Sequence, residues 1–538
     1  ASKPRPPRIK THIAAAAAAF SCSELPLPFL DLHLSLCQPR SNTIMQSIMR
    51  HCLVLVLLLQ LSFGFNFAAP NRVVKKFSLS NNPALVRGGA ISSPSPPQAV
   101  SLNAAAAAAT TQSKVEDTGS PIPASIFNLV KSIVGAGVLA LPGGVAAFSD
   151  APGAMAAAAG LTGAMGLLSA YCFSLIGRVC AAYDAKTYFD AWAKSISPKT
   201  AWLPAFACNF KTLIGCILYS IIIGDTASAL AQTFGLPAVL AARTNILLLL
   251  TGGVIFPLCL LKNLKSLQFT SLLGIGGTVY TGVAMAIRLL DGSYRTGGRF
   301  AGSIPAQPSF NVKGGSMAQL SSLILVSMLS TAFIAHYNAP KFYHDLKEKS
   351  VPRYNKVVYA SFACAILAFV SINAFGFLTF GGASLGFVLN NYSKADTLIT
   401  LARVGIFCSI LFGYPLVFVG LRDGMLSLAG ISNPDSKTFF ASSVGLLGFA
   451  TLASLVLNNL GFVSSFGGAL FGSMVIYIFP TLMMNAAIKD KTAKGEWEMT
   501  PQLQREQLLN SFICGLGVLL GGVGATVSVL KNFTKVLG

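Results

Sequence analysis

The atoms best placed to do chemistry in this chain are backbone atoms rather than a catalytic set. The stretch Phe127-Asn128-Leu129-Val130-Lys131-Ser132-Ile133-Val134-Gly135-Ala136-Gly137-Val138-Leu139-Ala140-Leu141-Pro142 is too apolar for a soluble helix, yet Gly135-Ala136-Gly137 stands at its centre. Gly costs about 1 kcal/mol relative to Ala in a helix interior. At membrane depth, unwound backbone survives only where it lines a cavity or is buried in protein. A Gly-interrupted membrane helix therefore points to freed N–H and C=O groups that hold a small solute. The alternative is a Gly face on which a neighbouring helix packs closely. Asn128 and Lys131, three residues apart, share a face of the same segment. An ionisable residue inside a span is a functional candidate, but Lys131 is close enough to the helix start to snorkel to the interface. Lys211 has the same ambiguity, with snorkelling favoured. His336 titrates near neutrality and could relay protons; a buried, hydrogen-bonded histidine is the favoured alternative. Arg403, inside another apolar run, needs a carboxylate or backbone carbonyls. Asp225 is either that carboxylate or a helix cap.

Other chemistry is excluded by what is missing. There is no H-E-x-x-H, no G-x-S-x-G in a credible setting, no pair of carboxylates inside a span and no ATP-binding motif, so the chain does not read as an enzyme or a primary pump. Eleven cysteines are scattered through apolar runs without a C-x-x-C, so neither a metal nor another cofactor is expected. Only 11% of the 538 residues are charged and 53% are hydrophobic, against about 25% charged in a soluble chain. The net charge of +21 sits in a tail and in short loops, which fits a lipid bilayer as partner and not a nucleic acid.

The elements that position these residues are helical spans at about 124–148, 152–178, 204–233, 243–261, 267–290, 317–338, 355–380, 396–421, 438–457, 460–486 and 507–530, each near the ~20 residues that cross a bilayer. The fold class is an all-α polytopic membrane protein of about eleven transmembrane helices. Lys and Arg concentrate in the loops on the side of residue 120, which makes that side the cytoplasmic-equivalent one. Residues 1–44 lack Met and periodicity and read as upstream or non-structural sequence. Residues 45–64 have a short basic start, an apolar core and small residues Ser62 and Gly64, a signal-peptide pattern. Residues 65–120 are basic, Ser-rich and acid-free until Glu116, a transit-peptide-like linker. Together the two resemble a bipartite plastid presequence, with the plastid envelope as destination; a vacuolar or other endomembrane site, or the plasma membrane, is the alternative. Residues 121–534 form the transmembrane domain.

An ordered set of motifs then resembles the amino acid/auxin permease family, which includes sodium-coupled neutral and vacuolar amino-acid transporters. Phe127-Asn128-Leu129 and Ile133 to Leu139 resemble its first span, and Tyr219 to Asp225 its third. Pro257 to Leu267 resembles the fourth-to-fifth turn, and Ala332-Phe333-Ile334-Ala335-His336-Tyr337-Asn338 the sixth span. Phe375 to Gly381, Leu389 to Tyr392, Tyr414-Pro415-Leu416 through Asp423, and Gly461 through Ser473 resemble the seventh, eighth and tenth spans with their flanks. The resemblance covers about 121–530. It implies five-plus-five inverted repeats with one extra helix, and first and sixth helices broken at mid-membrane. Substrate would lie between Gly135, Ala136 and Gly137 of the first and Ser330, Thr331, Ala332 and Phe333 of the sixth; ordinary interhelical packing is the alternative for Ser330 and Thr331. The residues matching ion-coupling positions are Asn128, Lys131, Ile133 and Ser409, with His336 as the proton candidate. Sodium-coupled relatives carry Asn where this chain has Lys131, and many have Thr where it has Gly413. The expected function is therefore secondary active transport of an amino acid, coupled to a proton or to exchange, with sodium disfavoured. The alternatives are an amino-acid sensor with the same fold and a carrier of another small amine or carboxylate. Side-chain specificity and oligomeric state are not legible.

Overall fold

The computed structural model describes residues 119–261, 270–311, 320–431 and 433–534. The readings of residues 1–44 and 45–64, nearly all of 65–120 and part of the Pro257–Leu267 motif lie outside the described residues. Among the described residues there is no strand, only two isolated bridges, Ser120 to Leu346 and Ser309 to Gly381.

The principal helices are α1 (Ile122–Ile133), α2 (Leu141–Phe148), α3 (Ala154–Tyr183), α4 (Tyr188–Ser195), α5 (Trp202–Thr233), α6 (Arg243–Cys259), α7 (Thr270–Leu290), α8 (Ser322–Ala332), α9 (Ala339–His344), α10 (Val351–Phe380), α11 (Thr397–Leu428), α12 (Ser436–Val456), α13 (Leu460–Ala493) and α14 (Pro501–Phe533). Among the described residues eight helical segments are long and apolar enough to cross a membrane, and nine with the bent pair α1–α2 counted as one. α6, a shorter apolar helix, and α7 fall outside that set, so the described residues do not reach the eleven expected spans by length and apolarity. Two of the segments are broken, α1–α2 and α8–α9.

Packing gathers the helices into two groups, which meet where α7 lies on α10. In one, α3 and α1 lie on α10, and α2 lies on both α8 and α10. In the other, α11 lies on α5 and α7, and α5 lies on α6 and α12. α13 touches both groups through α8 and α5. Hydropathy alone does not separate centre from rim, because α12 and α13 are similarly apolar, yet the most apolar window of α13 is 89% buried and that of α12 is 28% buried. A helix apolar on all sides can serve in either place. Close crossings use small residues: a Cβ added at Gly277 of α7 would lie 2.9 Å from the carbonyl carbon of Gly405 in α11.

On the face opposite residue 120, the connection after α7 is pinned by one carboxylate. The Arg288 guanidinium donates to Asp396 through Nε and Nη2, each at 2.8 Å, and the Tyr294 hydroxyl donates at 2.8 Å. Asp396 also caps α11, accepting from the Leu398 N–H at 3.0 Å. Its side chain has no exposed surface. Burial pushes this carboxyl up, but the hydrogen bonds from Arg288 and Tyr294 outweigh burial and hold it below the usual carboxylate range. A depressed carboxylate contributes stability above its unfolded value of about 3.9, and that stability is lost as pH falls through the folded value. Asp396→Asn is expected to cost about 2 kcal/mol at pH 7 and to flatten the acid limb below about pH 4, both read from thermal melting of the purified protein across pH. An unchanged melting profile would show that Asp396 contributes nothing to stability.

Candidate functional site

The first break follows directly from sequence. α1 ends where the Val134 N–H donates to the Val130 carbonyl at 2.7 Å. Val134 then leaves helical geometry (ψ 89°) and Gly135 is extended (φ −109°, ψ 177°). The chain resumes as a tight 3₁₀ turn over Ala136–Ala140 and continues into α2, bent by 44° from α1. Pro142 falls in the first turn of α2, where a missing N–H costs nothing. A Cβ added at Gly135 or at Gly137 would meet nothing within 4 Å. These glycines border open space, so the close-packing alternative does not describe them.

The second break begins at Phe333, later than expected. Ser330, Thr331 and Ala332 are still helical, in the last turn of α8. The Phe333 N–H closes that turn on the Leu329 carbonyl at 2.9 Å. Ile334 and Ala335 are outside any helix, and the ladder resumes with the Asn338 N–H on the Ala335 carbonyl at 2.9 Å. Pro340 sits in the first turn of α9. The Ser330 hydroxyl donates to Val326 at 3.1 Å, and the Thr331 hydroxyl crosses to the Ser464 carbonyl of α13 at 2.6 Å. Phe333 is fully buried against Phe369, ring centroids 4.7 Å apart. The two breaks are neighbours: the Asn338 side-chain amide donates to the Ser132 hydroxyl at the end of α1, at 3.2 Å. Behind α8, α13 winds through two π-helical turns, Gly468–Gly472 and Met474–Ile478. A Cβ at Gly468 would clash with the Ser327 carbonyl and the Thr331 hydroxyl.

The remaining candidates are distributed, not clustered. His336 is fully buried, with Nε2 2.9 Å from the Ser169 carbonyl of α3 and its ring edge-on to Phe173. Asn128 is exposed, Lys131 is half-buried without a hydrogen bond or ion pair among the described residues, and Ile133 is buried. Ser409 is half-buried on α11. α1 packs mainly on α10, whereas α11, which carries Ser409, packs on α5 and α7. Arg403 is buried and donates to the carbonyls of Leu389 (2.9 Å), Tyr392 (2.8 Å) and Ser393 (3.3 Å). Asp225 is not its partner. Asp225 instead accepts from Arg243 at 2.6 Å and Asn390 at 2.9 Å, a pairing that links residues too far apart in sequence to be read there. Lys211 does not reach an interface: it is buried in α5 with no polar partner among the described residues. No cluster of His, Cys, Asp or Glu among the described residues could hold a metal.

Neighbouring helix breaks with open glycine backbone, in an all-helical apolar protein, define a membrane transporter of small solutes rather than an enzyme. The chain belongs to the family described as transmembrane amino acid transporter protein, whose profile matches residues 118–528. It is 25% identical over 391 residues to amino acid transporter AVT6E of Arabidopsis thaliana, covering 69% of this chain and 77% of that protein. It is 24% identical over 416 residues to a Bos taurus protein whose name includes the words sodium-coupled neutral amino acid transporter 11, covering 76% and 82%. Among solved structures, a manganese transporter of Eremococcus coleocola superposes with a TM-score of 0.46 at 14% identity, over 76% of this chain and 88% of that one.

The contrast between the two kinds of glycine is testable. Gly468→Ala is expected to destabilise the protein by about 1–3 kcal/mol, seen as a lower melting temperature in detergent. Gly135→Ala, with open space and an unstrained φ, is expected to melt like the parent while transport is impaired. Normal melting and normal transport in Gly135→Ala would remove this break from the functional site.

Proposed function

We propose that the protein is a secondary active transporter of amino acids working by alternating access, with substrate held between the two breaks. The observation that supports this most is the adjacency of the breaks, tied by Asn338 and Ser132. α1 and α8 arrive at the breaks with their carbonyl ends, and the Ala136–Ala140 turn and α9 leave with their N–H ends. The N–H ends carry partial positive charge and suit a carboxylate, and the freed carbonyls suit an ammonium. Gly135, Ala136 and Gly137 and the backbone around Phe333 would supply these groups, and the glycines leave room for the substrate's own backbone.

For coupling we favour a proton or an exchanged substrate. A sodium site needs oxygen ligands, and Lys131 and Gly413 stand where oxygen donors are expected. With each labelled L-amino acid supplied to proteoliposomes, uptake is expected to follow an imposed proton gradient or internal substrate and to ignore sodium. Uptake of no amino acid would overturn the transport reading, and sodium dependence would overturn the coupling reading. Lys131→Asn is expected to alter ion dependence or affinity; no change in either would make Lys131 a membrane anchor. The basic, acid-poor residues 65–120 support delivery to a plastid envelope membrane. A fluorescent fusion of residues 45–120 is expected at that envelope in a cell with secondary plastids, and a vacuolar or endomembrane signal would overturn this.

A further inference from the structure

Opposite the residue-120 face, a cavity of about 320 Å³ opens between α2, α8, α13, α14 and the connection that follows α10. Ala147 of α2 and Met328 of α8 give it apolar walls. These two helices are the far halves of both broken spans, so the cavity lies on the way to the breaks. Among the described residues no Asp or Glu lines it, and its one cation is Lys531 of α14, half-buried and without a hydrogen bond or ion pair. Ser384, 9% exposed, contributes a buried hydroxyl with no partner. The neighbouring hydroxyls are already used: Ser465 donates to the Phe462 carbonyl at 3.1 Å and Ser528 to Gly524 at 2.8 Å. The cavity thus offers a free ammonium beside a small apolar wall, with the unpaired Ser384 hydroxyl buried just behind its surface. A buried donor left unpaired is costly, and an ionised acceptor is the partner that relieves it most.

We propose that this cavity is a second station for the carboxylate of the transported amino acid, and that α14, the helix outside the five-plus-five repeat, supplies its cation. The inference rests on the transport reading above and adds a site to it. Lys531 holds the carboxylate, Ser384 donates to it, and Ala147 and Met328 face the remainder of a small molecule.

The test uses full-length protein in proteoliposomes, each labelled L-amino acid in turn, and its methyl ester as the carboxylate-blocked competitor. Lys531→Met and Ser384→Ala are each expected to raise the half-saturation concentration by about tenfold, the loss of one charge-assisted hydrogen bond. Lys531→Arg is expected to restore it, and inhibition by the methyl ester is expected to be unchanged throughout. Ser384→Ala removes a hydroxyl with no structural partner, so it decides the matter even if Lys531→Met fails to fold. Unchanged half-saturation in Ser384→Ala overturns the proposal, as does an equal shift for amino acid and ester. Absence of all uptake by the parent protein overturns the transport reading instead, and the station with it.

Discussion

Every backbone N–H and C=O inside a bilayer must find a partner in the protein or face a cavity. That constraint governs this structure. Among the described residues most of the apolar segments are continuous helices; two are interrupted, and the exceptions are neighbours. Each break is entered by closing the preceding helix on its own carbonyls, at Val130 and at Leu329, and is left through a turn whose proline needs no hydrogen-bond acceptor. The helix behind them, α13, is itself wound off-register through two π turns, and it supplies the Ser464 carbonyl that takes the Thr331 hydroxyl. Irregular backbone thus gathers around the breaks, with one further π turn in α6 over Thr251–Ile255.

Charge is organised by the same economy. The buried guanidiniums are structural. Arg403 is used on three carbonyls of one corner, Arg243 on Asp225, and Arg288 on Asp396. A planar fork of donors suits such fixed, multiple contacts. Three lysines behave differently: Lys131, Lys211 and Lys531 have no hydrogen-bond or ion-pair partner among the described residues, though each is at least half-buried. These ammoniums contrast with the arginines, which hold the connecting segments still.

Much of this was legible in the sequence because apolar length and Gly-Ala-Gly are local signals. The order of the helices, the first break and the Arg403 need for carbonyls or a carboxylate follow from residue type alone. The second break was placed early because Phe333-Ile334-Ala335 contains neither Gly nor Pro; its one local signal is Pro340, downstream in α9. The Asp225–Arg243 pair joins two different helices, and the burial of Lys211 depends on which side of α5 faces the protein. Neither is encoded in spacing along one helix. The ion-coupling positions came from likeness to relatives, a source that spacing along one helix does not supply.

The bond between Asn338 and Ser132 has a thermodynamic consequence. It joins two neutral side chains at 3.2 Å, and a contact of that kind contributes about 1 kcal/mol, roughly a fivefold bias in an equilibrium constant. Such a latch sets a resting preference without locking it. In the proposed alternating-access cycle, a solute that formed even one charge-assisted hydrogen bond better in a different arrangement of the breaks would outweigh it.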